Sequence, residues 1–301
     1  MRRAGAGSGR AGRWGGTVGA VNHFASYDGT GIGYRLAGDG PPLVCLPGGP
    51  GRAADYLGDL GGLDRSRTLI LPDMRGVGVS ADPADPATFR VDRLVNDVES
   101  LRTHLGLDRM DLLAHSAGAV LATLYAAAHP DRVSRLMLIT PGLAAVGVDS
   151  TEDQIRAALA RRAAEPWYPA AAAAIEKVAA GDRSMEAYQA SRPFFYSRWD
   201  TAAQAHATAG ISPRHQAARE GYFADAEMVL DPQATRAALT KLTAPVLLYA
   251  GEFDPFVPPA EVREAAQYFA DATVMIQPGA AHFPWTDDPA AFAAAISSFL
   301  R

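Results

Sequence analysis

The 301-residue chain holds one cysteine, Cys45, which excludes an intrachain disulfide and a zinc site built on several cysteines. No apolar run approaches the roughly 20 residues that a membrane-spanning helix needs. Arg2, Arg3, Arg10 and Arg13 lie near the start, but no apolar stretch follows them, so the secretory-signal pattern is missing. Positive charge is in short supply: 28 Lys and Arg stand against 33 Asp and Glu, a net charge of -5. A nucleic-acid binder needs a basic surface to displace counterions, and this balance opposes one. These absences predict a cytoplasmic protein with neither a membrane nor a nucleic acid as partner. What is present is a globular composition, 48% hydrophobic and 20% charged. The length allows two domains, or one α/β domain with additions.

Residues 1–20 are mostly Gly, Ala and Arg and carry too little apolar surface to offset the entropy of ordering them. They are expected to be a disordered extension. From residue 21 the pattern turns strand-like. Val21–Ser26 and Ile32–Leu36 flank the Gly-rich turn Asp28-Gly29-Thr30-Gly31. Short apolar runs follow at Leu43–Leu46, Thr68–Leu71, Asp111–Leu113 and Val133–Ile139. Helical segments fall at Val91–Leu105, by its three-and-four spacing, and at the Ala-rich stretch Ala117–Ala128. This alternation predicts an α/β fold whose mostly parallel sheet is flanked by helices. The alternation stops over residues 143–237, which read as helical, and resumes with strands at Pro245–Ala250 and Thr273–Ile276 and helices from Pro259 and Pro289. The expected division is a core of 21–142 and 238–301, with 143–237 inserted as a helical block over one end of the sheet.

Ala114-His115-Ser116-Ala117-Gly118 joins a strand to a helix with nothing between them. Such a junction forces a tight turn that lifts the serine hydroxyl above the sheet edge and aims the N–H of Ala117 at the same space. Ligands of α/β sheets bind at that carboxyl edge. An ordinary helix-capping serine is the other reading of these residues.

Serine needs a base, and the base needs a carboxylate to orient it. His282 lies in the loop after the strand Thr273–Ile276, and Asp254 directly after the strand Pro245–Ala250. The three candidates Ser116, Asp254 and His282 therefore share one edge. Glu252 is an alternative acid, closer to its strand. His206 and His215 lack spaced acidic partners, so no metal is expected, and no organic cofactor either. An oxyanion needs two donors. Ala117 supplies one, and Pro47-Gly48-Gly49-Pro50-Gly51 the other. Proline has no N–H, so Gly48 and Gly49 are the favoured candidates.

With these segments in order, the chain resembles the α/β-hydrolase superfamily, and within it the proline iminopeptidase-like branch. The resemblance covers residues 21–301. Pro47–Gly51 is similar to that branch's His-Gly-Gly-Pro-Gly loop, with Pro in place of His. Asp73-Met74-Arg75-Gly76-Val77-Gly78-Val79-Ser80 is similar to its Asp-x-Arg-Gly-x-Gly-x-Ser segment. The resemblance implies a serine hydrolase with a helical cap. It also implies that a cap carboxylate next to a Trp holds a substrate's free amine, and Trp199-Asp200 stands in a similar place. A plain helix-capping acid is an equal reading of Asp200. Asp73 and Arg75 are expected to brace the loop below the glycines. The aromatics of the insertion, among them Phe195, Tyr196 and Tyr222, suggest an apolar acyl pocket.

The expected function is a serine hydrolase that cleaves a small amide, peptide or ester through an acyl-enzyme, with release of an N-terminal residue as one form. The alternatives are an esterase or lactonase on a small metabolite, and a non-catalytic protein that uses the fold as a ligand box. Hydrolases of this fold that use an Asp nucleophile do not fit Ser116. The expected partner is a small molecule or short peptide.

Overall fold

The structure is a computed structural model and describes residues 21–182, 184–212 and 215–301. The expected extension at 1–20 lies outside the described residues. Eight strands form one sheet: β1 (Val21–Ala25), β2 (Gly31–Ala37), β3 (Pro42–Leu46), β4 (Thr68–Pro72), β5 (Met110–His115), β6 (Val133–Ile139), β7 (Val246–Gly251) and β8 (Ala272–Gln277). Their order is β1-β2-β4-β3-β5-β6-β7-β8. β1 and β2 are antiparallel to their neighbours, and all pairs from β4 to β8 are parallel.

The strands lack polar alternation because both faces are covered. Successive side chains of a strand point to opposite faces. Val44 and Leu46 accordingly join a core with α1 (Val91–His104) and α2 (Ala117–Ala128). Leu43 and Cys45 join the opposite core, which includes Phe292 and Ile296 of the last helix, Pro289–Phe299. Burial pushes the Cys45 thiol up, so it stays protonated and unreactive.

Between β6 and β7 the described residues form no strand. They make α3 (Glu152–Ala160), α4 (Tyr168–Ala179), α5 (Met185–Ser191), α6 (Thr201–Thr208), α7 (Gln216–Tyr222), α8 (Ala226–Val229) and α9 (Pro232–Leu239). The helices are short because prolines start new ones. Pro169 and Pro232 occupy first-turn positions of α4 and α9, and Pro193 sits in the tight turn Arg192–Phe195. After β7 come α10 (Pro259–Ala266), α11 (Pro284–Asp287) and α12 (Pro289–Phe299).

Candidate active site

Ser116 stands between β5 and α2 at φ 54° and ψ −123°, a backbone conformation that L residues rarely adopt. The turn is held from outside. The Ser116 N–H donates to the Ile139 carbonyl at 3.0 Å, and the Ser116 carbonyl accepts from the N–H groups of Ala119 and Gly142, each at 2.9 Å. Close approach explains two glycines. A Cβ on Gly118 would lie 2.5 Å from the Pro47 carbonyl oxygen, and one on Gly48 would lie 2.6 Å from the His115 carbonyl oxygen. The loop at 47–51 and the serine turn are thus packed backbone to backbone. Ala114 replaces the usual Gly ahead of the serine and is fully buried in the sheet, where a methyl is accommodated.

His282 and Asp254 leave β8 and β7 at the same edge as Ser116. His282 Nδ1 lies 2.7 Å from Asp254 Oδ2. A carboxylate only accepts, so Nδ1 carries the proton and Nε2 keeps its lone pair. Asp254 Oδ1 accepts from the N–H groups of Phe256, at 3.0 Å, and Val257, at 3.2 Å. The carboxylate is buried and fixed by both oxygens. Glu252, the alternative acid, instead accepts the Gly279 N–H at 2.8 Å and braces the histidine loop from outside.

His282 is also held by its main chain. Its N–H donates to the Phe195 carbonyl in the helical insertion at 3.1 Å. Its carbonyl accepts from Thr140 Oγ1 and from His115 Nε2, each at 2.9 Å. That carbonyl can only accept, so His115 is protonated at Nε2 and its Nδ1 accepts from Tyr56 Oη at 2.8 Å. The Tyr56 oxygen in turn accepts the Gly48 N–H at 2.7 Å. One polar chain therefore runs from the glycine loop through Tyr56 and His115 to the backbone of His282. Burial and the nearby His282 hold His115 well below the usual imidazole range, so it is neutral. No motif in the sequence marks His115 or Tyr56 for this role. The available signal was a polar ring in the residue before the serine, at the end of an otherwise apolar strand.

This chain corrects one expectation. The Gly48 N–H is already committed to Tyr56 and is not free for an oxyanion. Gly49, at φ 122°, lines the cavity beside Ser116. Ala117 opens α2, where the first amides have no partner inside the helix.

Ser116, His282, Gly49 and Phe195 all border one cavity of about 1020 Å³ between the sheet edge and the insertion. That is at the upper end of small-molecule sites, which run to about 1,000 Å³. Val178, Met185 and Tyr188 give it an apolar wall, and Arg192 and Arg219 add charge. Phe195 stacks on Phe256 with ring centroids 4.3 Å apart and meets the His282 ring edge-on at 5.2 Å.

The other four expected substrate contacts lie elsewhere. The Asp200 carboxylate accepts the Ala203 N–H at 2.9 Å and caps α6, exposed to solvent. Trp199 packs on Tyr196, at 5.4 Å between centroids. Tyr196 is buried and its hydroxyl donates to His206 Nδ1 at 2.8 Å. Tyr222 is buried and donates to the Ala117 carbonyl at 2.6 Å, a strut from the insertion to α2. None of the four lines the cavity, because each apolar ring found its burial inside the insertion or against the core.

Asp73 holds Ala54, three residues past the glycine loop, rather than the loop residues 47–51. It accepts the Ala54 N–H at 2.7 Å and the Val79 N–H at 3.0 Å and pairs with Arg35 at 3.0 Å. Arg75 hydrogen-bonds none of the loop residues; it is fully buried and ties Asp28 and Thr88 to Asp97 of α1. No group of three or more His, Cys, Asp or Glu side chains is placed to hold a metal among the described residues. No helix among them is long and apolar enough to cross a membrane.

The sequence profile of the alpha/beta hydrolase fold matches residues 41–289. The chain belongs to the α/β-hydrolase fold family. Within the superfamily it is proline iminopeptidase-like: 108 residues are 37% identical to a proline iminopeptidase of Heyndrickxia coagulans, covering 36% of this chain and 38% of that protein. A soluble epoxide hydrolase of Corynebacterium sp. (strain C12) is 34% identical over 129 residues, 42% of this chain and 44% of the relative. The chain thus spans about two-fifths of the length of these relatives. An esterase from Exiguobacterium antarcticum superimposes with a TM-score of 0.68 at 20% identity, over 92% of this chain and 98% of that one, which is a likeness of fold. The three names describe three reactions, so family membership leaves the substrate to the site.

Proposed function

We propose that this hydrolase is a serine hydrolase that cleaves a small ester or lactone through an acyl-enzyme. Ser116 Oγ attacks the carbonyl carbon. His282 Nε2 takes the hydroxyl proton and returns it to the leaving oxygen, and Asp254 keeps His282 in the required tautomer and stabilises its charged form. The amides of Ala117 and Gly49 hold the oxyanion. Water, activated by His282, then releases the acyl group. The helical insertion acts as the cap, and the substrate is a small molecule.

The observation that carries the reading is the strained Ser116 on the same cavity as a histidine whose second nitrogen is already given to a buried carboxylate. Release of an N-terminal residue is the second reading, favoured by the proline iminopeptidase relatives. It requires a carboxylate for the substrate's amine. Asp200 is turned away to cap α6, and the one carboxylate among the described lining residues is Glu220, which is exposed and accepts from Gln216 Nε2 at 2.8 Å. The ester and lactone reading needs no such group.

The test is a fluorophosphonate probe followed by peptide mass analysis, beside hydrolysis of short aryl esters, lactones and prolyl arylamides. One probe per chain at Ser116 is expected, with ester or lactone turnover that Ser116→Ala abolishes. Unlabelled Ser116 in a chain that still hydrolyses esters would overturn the site. Arylamide cleavage faster than ester cleavage would return the peptidase reading.

A further inference from the structure

The cavity carries a charge opposite to that of the chain. The whole sequence is net negative at -5, yet three arginines, Arg52, Arg192 and Arg219, line the cavity, with Glu220 the one acid among its described lining residues. Their local roles differ. Arg52 is spent on structure: Nε donates to the Ala209 carbonyl at 2.8 Å, Nη2 to the His206 carbonyl at 2.6 Å, and the guanidinium lies 3.9 Å above the Tyr56 ring. Arg219 makes one long contact, Nη1 to the Ser212 carbonyl at 3.4 Å, and its stem packs against Gly51 of the glycine loop. Arg192 has no ion pair or hydrogen bond among the described residues, and its guanidinium lies 5.9 Å from the centre of the Phe195 ring.

Arg192 is largely buried. Burial and the guanidinium of Arg52 push it down to about 10, so it remains charged at neutral pH. Arg219 adds repulsion in the same sense. A cation kept in a half-closed cavity beside two like charges is costly unless an anion meets it. A cleft lined with one sign of charge also concentrates ligands of the other sign. Both arginines line the cavity that Ser116 and His282 border. Arg192 begins the turn whose last residue, Phe195, holds the His282 N–H, and Arg219 lies on the glycine loop.

We infer that the substrate is an anion, a small ester or lactone bearing a carboxylate that Arg192 and Arg219 hold while Ser116 attacks the carbonyl. A planar guanidinium matches a carboxylate with two parallel hydrogen bonds, which fixes orientation as well as charge. The inference rests on the serine hydrolase reading and names its substrate class.

The experiment compares aryl half-esters of succinate and glutarate with the neutral aryl butyrate and valerate, and with prolyl and glycyl arylamides. At low salt the half-esters should lead their neutral counterparts in kcat/KM by about tenfold or more, and the lead should shrink as salt rises. Arg192→Gln and Arg219→Gln should each collapse the ratio mainly through KM. Arg192→Lys should keep part of it, and Arg192→Glu should turn the preference toward the amines. A merely structural arginine would not invert specificity with the sign of its replacement. Preference for neutral or amine substrates in the natural chain, or a ratio untouched by both Gln variants, would overturn the proposal. Calorimetry with glutarate on Ser116→Ala separates the two readings. Binding lost in Ser116→Ala/Arg192→Gln would uphold the anion site even if no ester is cleaved, whereas absent binding and absent turnover would remove both.

Discussion

His115 Nε2–H donates to the main-chain carbonyl of His282 at 2.9 Å, and the two rings lie 4.8 Å apart. Under the proposed mechanism, the residue before the nucleophile thus positions the residue that activates it. His115→Phe should leave the Tyr56 hydroxyl without its acceptor and take one donor from His282. Loss of buried partners of this kind costs roughly 1–3 kcal/mol. A lowered denaturant midpoint is expected, with kcat falling well ahead of any change in KM. A variant with normal kcat would show that Thr140 alone suffices.

Asp254 and Glu252 separate cleanly. Asp254→Asn removes the acceptor that sets the His282 tautomer, and kcat should fall about 10³- to 10⁴-fold with the fold kept. Glu252→Gln touches only the Gly279 N–H and should cost no more than a few-fold. Steady-state kinetics on one aryl ester checks both, and equal losses would contradict the assignment.

Much of this was readable in advance. The strand runs, the serine turn and the chain order Ser116, Asp254, His282 follow from local apolar patterning and from turns that small residues permit, and the eight-stranded sheet bears out the mostly parallel α/β fold. The pocket wall was not readable. Aromatic residues at 196, 199 and 222 carry the same composition whether they face a ligand or a neighbouring helix, and the direction is set by packing. Arg192 and Arg219 gave no sequence signal because a charge on a short helix is usually solvated. The Gly48 donor was lost to Tyr56, eight residues on, a contact made by the turn Ala54–Leu57 and by no periodicity.

Asp200→Ala tests that point. A lost N-cap costs about 1 kcal/mol. Thermal unfolding should therefore move slightly, while kcat/KM for esters and for prolyl arylamides should keep its ratio. A selective loss on arylamides would show that Asp200 reaches an amine after all.

His206 should leave a mark on acid stability. It donates from Nε2 to the Tyr56 carbonyl, and burial and the charge of Arg52 bring it down to about 4. The unfolded chain takes up that proton near pH 6.5, the folded chain only near 4. The unfolded state therefore binds more protons in between, and stability falls as pH falls through this window. His206→Gln removes that difference, so its stability should decline less between pH 6.5 and 4, by roughly 3 kcal/mol. Denaturation midpoints at four pH values decide it, and parallel curves for the two proteins would refute it.

The Phe195 carbonyl takes the backbone N–H of His282, so the roof of the cavity and the base beneath it are joined by one hydrogen bond. Moving residues 192–196 away from the sheet would break that bond and unstack Phe195 from Phe256. Such a movement would release one tie on the His282 backbone and leave those from Thr140 and His115. Arg192 stands on the same turn, so under the proposed function the charge that holds the substrate and the tie on the histidine would move as one piece.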